Sequence, residues 1–206
     1  MEFTKENIKL ICADNMKIMA QYPDNYFDLA CLDPEYGIGI ASNSFRQKQT
    51  KKDWDEKTPD ELFFAEIFRI SKNQIIWGGH YFDLQPTQGF IIWDKKQPYN
   101  FSSAMCEMAW TSFQKPAKIY SKHVVTAEKN KIHPTQKPVK LYDFCFDFAK
   151  AQKEWKIIDT NFGSASSAIS AYYFGFAEYV GIDIDSDYFN DAVKRFKNET
   201  MQQRLF

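Results

Sequence analysis

The sequence predicts an α/β fold, an open and mostly parallel sheet with helices on both faces. Short apolar runs of strand length, at 8–12, 27–32, 74–77, 156–159 and 178–182, alternate with stretches of helical spacing. Several of those runs stop at an acid or a glycine, where a parallel strand gives way to a turn. At 206 residues and 44% hydrophobic, the chain has material for one α/β domain with a full core.

In chain order, Ile8-Lys-Leu-Ile-Cys12 reads as a strand, and Asp14 or Asn15 can cap a helix over 16–21. A turn, Tyr22-Pro-Asp-Asn25, precedes the strand at 27–32, which ends abruptly in Asp33-Pro-Glu-Tyr-Gly37. Pro34 cannot donate to a ladder and holds Asp33 extended, so a carboxylate and an aromatic ring are left at the strand's carboxyl end. Ligands of open α/β sheets bind there. Residues 39–60 are polar and aperiodic and read as a long surface loop. Thr58 is the expected cap of the next helix, with Pro59 first and Glu61 three residues on, and Leu62, Phe63, Ile67 and Ile70 form its apolar face. A buried strand at 74–77 ends in Gly78-Gly79-His80. Further strands are expected at 89–93 and 107–111, then a helix at 139–151.

The stretch from Ile157 to Asp185 has the layout of a nucleotide-binding unit: strand, glycine-containing turn, helix, strand, terminal acid. Gly163 clears the approach to a helix amino terminus, and Asp183 is spaced to accept hydrogen bonds from a ribose diol. Neither a dinucleotide G-x-G-x-x-G nor a triphosphate-binding loop occurs there, which favours a nucleoside ligand. A final amphipathic helix is expected over 187–198.

The net charge of −1 rules out a globally polycationic nucleic-acid binder, but charge is unevenly placed. Seven lysines against Glu128 alone lie between Thr111 and Lys140, and Arg46, Lys48, Lys51 and Lys52 follow the first motif. Such patches can steer a phosphate backbone without a basic total. The four cysteines show no paired or metal spacing and read as reduced residues of a cytoplasmic protein; no metal is expected. The polar start and the lack of any apolar run near twenty residues point to neither a leader nor a membrane span.

Taken together and in this order, these stretches resemble the S-adenosylmethionine-dependent DNA amino-methyltransferases of the circularly permuted β group, above all short phage and prophage adenine-N6 enzymes. The residues that carry the resemblance are Asp33-Pro-Glu-Tyr36, Ile75-Ile-Trp-Gly-Gly79, Ile91-Ile-Trp-Asp-Lys95, Glu107-Met-Ala-Trp-Thr-Ser112, His133-Pro-Thr-Gln-Lys-Pro138 and the segment from Asp159 to Asp183. The resemblance implies a seven-stranded Rossmann-like sheet with one antiparallel strand, with the 8–12 strand beside the 178–182 strand. It implies one methyltransferase domain over 1–206, its catalytic half about 1–130 and its cofactor half about 131–206, with no separate target-recognition domain. Asp33, Pro34 and Tyr36 would act on a flipped adenine. Asp159, Gly163 and Ser164 would lie near the methionine part of S-adenosylmethionine, Asp183 on its ribose and Asp14 near its adenine, with His133, Thr135 and Lys137 closing over the amino-acid end. Arg46, Lys48, Lys51 and Lys52 would contact double-stranded DNA; a homodimer and a restriction partner are compatible with this reading.

Two positions depart from the family pattern. Glu35 stands where the second proline is usual, and a carboxylate beside Asp33 is expected to raise one pKa. Ala165 stands near a usual glycine, where its methyl would crowd the cofactor or force a left-handed backbone. A catalytically impaired DNA- or cofactor-binding protein and a cytosine-N4 enzyme are the alternative readings. Cytosine-C5 chemistry is excluded, since no cysteine follows a proline.

Overall fold

The computed structural model describes residues 1–37, 58–100, 104–123, 132–133 and 135–201. Its strands are β1 (Glu2–Lys5), β2 (Ile8–Cys12), β3 (Leu29–Leu32), β4 (Gln74–Trp77), β5 (Phe90–Asp94), β6 (Cys106–Thr111), β7 (Lys118–Ser121), β8 (Lys156–Asp159) and β9 (Glu178–Asp183). They form one sheet in the order β1-β2-β9-β8-β3-β4-β6-β5-β7. The inner seven, β2 to β5, carry a single antiparallel strand, β6, as expected. Two edge strands extend the expected seven-stranded sheet to nine: β1, antiparallel to β2, and β7, parallel to β5. Both are short, polar and half to fully exposed, so neither shows the apolar alternation that reveals a strand in sequence. Ile8 pairs with Tyr179 and Cys12 with Asp183, placing β2 beside β9 as anticipated.

Period-two alternation sends side chains to both faces. Leu29 and Cys31 of β3 join one core with α3 (Val139–Ala149), α4 (Ser166–Phe174) and α5 (Ser186–Met201). Ala30 and Leu32 join the other with α1 (Asn15–Met19) and α2 (Glu61–Ile70). Burial on both faces explains why β3 and β4 read as continuous apolar runs. The α2 cap is Asp60 and not Thr58: the Asp60 carboxylate accepts from the Phe63 amide at 2.9 Å, leaving Pro59 ahead of the helix. An aspartate two residues nearer the first free amides makes the tighter cap.

The winding of the sheet opens a crevice. From β3 the chain moves on to β4, and from β8 it moves on to β9, in opposite directions across the sheet. Since β3 and β8 are parallel neighbours, their carboxyl ends frame that crevice at the switch of winding direction. No helix among the described residues is long and apolar enough to cross a membrane.

Candidate active site

The Asp33 turn forms one wall of the crevice. The Asp33 side chain is 16% exposed; its Oδ1 accepts from the Tyr36 hydroxyl at 2.5 Å and its Oδ2 from Lys137 Nζ at 2.5 Å. Lys137, 3% exposed, also lies 3.0 Å from Glu107 Oε2, and Glu107 Oε1 lies 2.5 Å from Lys95 Nζ. Burial pushes the Asp33 carboxyl above its ordinary range, and the nearby Glu107 adds to this, against the pull of Lys137 and the Tyr36 hydrogen bond. For Glu107, burial also acts upward, but Lys137 and Lys95 together outweigh it and bring the carboxyl down to about 2. Lys137 stays cationic although burial opposes its charge, because two carboxylates face it.

The Tyr36 ring is seated by Gly78, whose φ of 71° is left-handed. A Cβ on Gly78 would collide with three atoms of the ring, Cδ1, Cε1 and Cζ, so the ring lies face-on against bare backbone. Tyr81 stacks on Tyr36 with centroids 4.9 Å apart and planes 16° from parallel.

The other wall is the turn after β8. Asp159 is fully buried; its carboxylate accepts from the Asn161 amide at 3.1 Å and the Ser167 hydroxyl at 2.6 Å. It organises the turn from beneath. Gly163, at φ 47°, donates its amide to Asp183 Oδ2 at 3.1 Å, and the Asp185 amide takes Oδ1 at 2.8 Å. Each Asp183 oxygen keeps further lone-pair capacity, as a diol ligand requires. A Cβ on Gly163 would sit 3.9 Å from the His133 ring, which itself packs against Tyr188 at 4.3 Å. Thr135 Oγ1 meets His133 Nδ1 at 3.1 Å.

Ala165 adopts the left-handed backbone, φ 63°, at a cost of about 1–2 kcal/mol. Its methyl is buried in the core with α4, so it offsets that strain by packing and does not crowd the turn. Arg195 of α5 secures the same turn: its Nη1 donates to the Ser164 carbonyl at 2.6 Å and to Ser166 Oγ at 2.8 Å. Ser166 Oγ in turn donates to the Lys137 carbonyl at 2.7 Å. Arg195→Met is expected to cost about 1.5–3 kcal/mol in urea denaturation, since it strands a buried carbonyl that accepted from a charged donor.

Glu35 spans the crevice. Both its oxygens lie 3.1 Å from the Asn161 side-chain nitrogen. An acid from a distant strand, Glu107, adds to the rise of Asp33, and Glu35 adds to the rise of Asp183 across the crevice. Lys137 pairs with both Asp33 and Glu107. Asp14 caps α1, accepting from the Met16 amide at 2.9 Å. Arg46, Lys48, Lys51 and Lys52 lie outside the described residues. The lysine run at 111–140 is not one surface: Lys137 is buried, Lys140 pairs with Asp143 at 2.8 Å, and Lys115 bonds the Phe148 carbonyl beneath two phenylalanine rings. Sequence reasoning gave no role to Glu107, Lys95, Asn161, Gly78 or Arg195. The Gly-Gly pair at 78–79 was the one available signal, as two glycines ending a strand mark close approach of backbone to something bulky.

Asp159 and Asp183 have pKa values raised to about 7, each chiefly by burial. Between the unfolded value near 4 and about 7, the folded protein holds protons that the unfolded chain releases, so stability falls as pH rises through that window. The ligand-free protein is expected to melt higher at about pH 5.5 than at about pH 8, with Asp159→Asn removing about half of the difference; the Asp159 share between those pH values is ~2 kcal/mol. Glu107, at about 2, acts oppositely, but only below its ordinary value of 4.5.

No protein-family model and no curated protein matches this sequence. Solved structures do. The S-adenosylmethionine complex of M1.HpyAVI superposes with a TM-score of 0.63 at 16% identity, covering 91% of this chain and 99% of that one. The PvuII DNA methyltransferase, cytosine-N4-specific, gives a TM-score of 0.63 at 11% identity over 98% and 89% of the two chains. TTHA0409 of Thermus thermophilus, complexed with S-adenosyl-L-methionine, gives 0.58 at 16% identity over 92% and 93%. The chain thus has the α/β fold of S-adenosylmethionine-dependent methyltransferases.

Proposed function

We propose that this protein is an S-adenosylmethionine-dependent DNA methyltransferase acting on an exocyclic amino group, that of adenine N6. The observation that carries the reading is the pairing of two turns across the β3/β8 crevice. Asp33 and Tyr36 stand on one side, the Gly163–Asp183 turn on the other, and Glu35 and Asn161 join them. The order of the two turns along the chain supports the permuted β-group assignment.

The residues of the second turn fit the cofactor. Gly163 offers bare backbone, Asp183 offers acceptor capacity to ribose hydroxyls, and His133 with Thr135 borders the same turn. When bound, S-adenosylmethionine supplies an electrophilic methyl group. The chain's part is orientation and electrostatics. An adenine amino nitrogen is a weak nucleophile because its lone pair is delocalised into the ring. Asp33 and the Pro34 carbonyl accept its two N–H bonds, which draws the lone pair out of conjugation. Tyr36, seated on Gly78 and stacked by Tyr81, would give a base taken out of the duplex a stacking face where the base displaces Tyr81. Arg46, Lys48, Lys51 and Lys52 are assigned to the DNA backbone, where contacts position and do not specify.

Aspartate at the head of the motif favours adenine, while the likeness to PvuII keeps cytosine N4 as the second reading. Nucleoside mass spectrometry decides between them. The protein is incubated with unmethylated duplex DNA and methyl-labelled S-adenosylmethionine, and the DNA is digested. Label in N6-methyladenine is the expected result. Label in N4-methylcytosine overturns the substrate, and no label with cofactor binding intact overturns catalysis.

A further inference from the structure

Lys95, Glu107, Lys137 and Asp33 form a row of alternating charge, with successive contacts of 2.5, 3.0 and 2.5 Å. The row runs from the β5 end, where the Lys95 amide is fixed to the Met105 carbonyl at 3.0 Å, through β6 to the β3 turn. Its members are between 3% and 23% exposed. Two of its contacts are unlike the third. Lys137 donates an aligned hydrogen bond to Asp33 Oδ2, whereas Glu107 Oε2, buried and 3.0 Å from Lys137 Nζ, is less well aligned to accept. Lys137 therefore has a second carboxylate oxygen beside it, close enough to take over its hydrogen bond by a small turn of the ammonium. Lys95 holds the other oxygen of that carboxylate in place.

Asp33 needs this. With Oδ1 taken by Tyr36 and Oδ2 by Lys137, both oxygens are engaged before any substrate arrives. A carboxylate neutralised by a dedicated ammonium is a weak acceptor for an amino group, while one with no cation is protonated in so buried a place. An ammonium divided between two carboxylates avoids both outcomes.

We propose that Glu107, held by Lys95, is a positioning residue that shares Lys137 with Asp33 and takes its hydrogen bond when the substrate amino group engages Asp33. The assignment of a substrate amino group rests on the methyl-transfer reading; the charge sharing itself does not. Asp33 is faced by Tyr36 on its own turn, by Lys137 and Tyr142 from the α3 side, by Glu107 from β6, by Cys31 on β3 and by Asp159 on β8. Of these, the variants below alter only Glu107 and its support.

The test is the titration of Asp33 by carbon-detected NMR of aspartate-labelled protein, which needs neither DNA nor turnover. Glu107→Gln gives Lys137 wholly to Asp33 and removes a negative charge, so the Asp33 midpoint is expected to fall by about half a unit or more. Lys95→Met frees Glu107 to draw Lys137 away, so the midpoint is expected to rise. Opposite shifts from two variants of one ion pair are not what general loosening produces. Midpoints that stay put, or move the same way, overturn the proposal. Should Glu107→Gln fail to fold, Lys95→Met carries the sign alone, and a fall there is equally fatal. In the transfer assay, Glu107→Gln is expected to lower kcat at least about tenfold with KM for DNA unchanged. A rise in KM at constant kcat overturns the exchange. Wild-type protein that transfers no methyl overturns the proposed activity, and the two NMR titrations still decide the charge sharing.

Discussion

Lys137→Met is expected to lower the free energy of unfolding by about 3–5 kcal/mol near neutral pH, as measured by urea denaturation. The substitution leaves Asp33 and Glu107 as neighbouring carboxylates with one ammonium, that of Lys95, where the wild type has two. Lys137 is 3% exposed, so water cannot replace it at small cost. The sign of the pH dependence is a second check. Without Lys137 the Asp33 carboxyl rises further, takes a proton in mild acid and relieves the repulsion. The penalty is therefore expected to shrink as pH falls towards about 5. A penalty that is small and independent of pH would show that the buried charges are not coupled as their distances imply.

Gly78→Ala is expected to cost roughly 100-fold or more in methyl transfer while leaving cofactor affinity within a few-fold of wild type. The new methyl would occupy the place of the Tyr36 ring, on a backbone that L-residues adopt only with strain. The ring must move, and with it the hydroxyl that holds Asp33 Oδ1. The turn proposed to hold the cofactor lies after β8 and does not touch Gly78; it meets this wall through the Glu35–Asn161 and Ser166–Lys137 hydrogen bonds, so its affinity is expected to change far less. Kinetics of transfer beside calorimetry of S-adenosylmethionine binding separate the two effects. Equal losses in both would mean that the substitution disorders the sheet edge rather than unseating Tyr36.

The fold was legible because the buried strands of the parallel sheet announce themselves. Leu29-Ala-Cys-Leu32 is apolar at every position because both faces are covered, and Pro34 marks where it stops. The edge strands β1 and β7 were not legible, since the sheet covers neither on both faces and their polar residues resemble loop. Within the candidate site, positions at a strand end or a turn could be read: Asp33, Tyr36, Gly163 and Asp183 all sit where sequence punctuation puts them. Partners brought in from distant elements could not. Lys137 lies 104 positions from Asp33 along the chain, and nothing near either residue names the other. Local proximity told only part of it: Glu35, two residues from Asp33, turns across the crevice to Asn161 and adds to the rise of Asp183, while Glu107 comes from β6 to act on Asp33.

That turn across the crevice has a thermodynamic side. Asn161 belongs to the β8 arm and Glu35 to the β3 arm, and the winding of the sheet carries the chain away from the crevice on either side. The Glu35–Asn161 hydrogen bonds are thus a direct rod between two arms that are also joined by the sheet beneath them and by Lys137, which bonds Asp33 through its ammonium and Ser166 through its carbonyl. A ligand that rotates Asn161 must also release or drag Glu35, and a ligand seated against Asp33 feels the result. Linkage makes the debt mutual: whatever factor occupancy of one arm imposes on affinity at the other is returned unchanged in the opposite direction. A proline at position 35, having no side-chain acceptor, would remove this rod and leave the arms joined through Lys137 and the sheet alone.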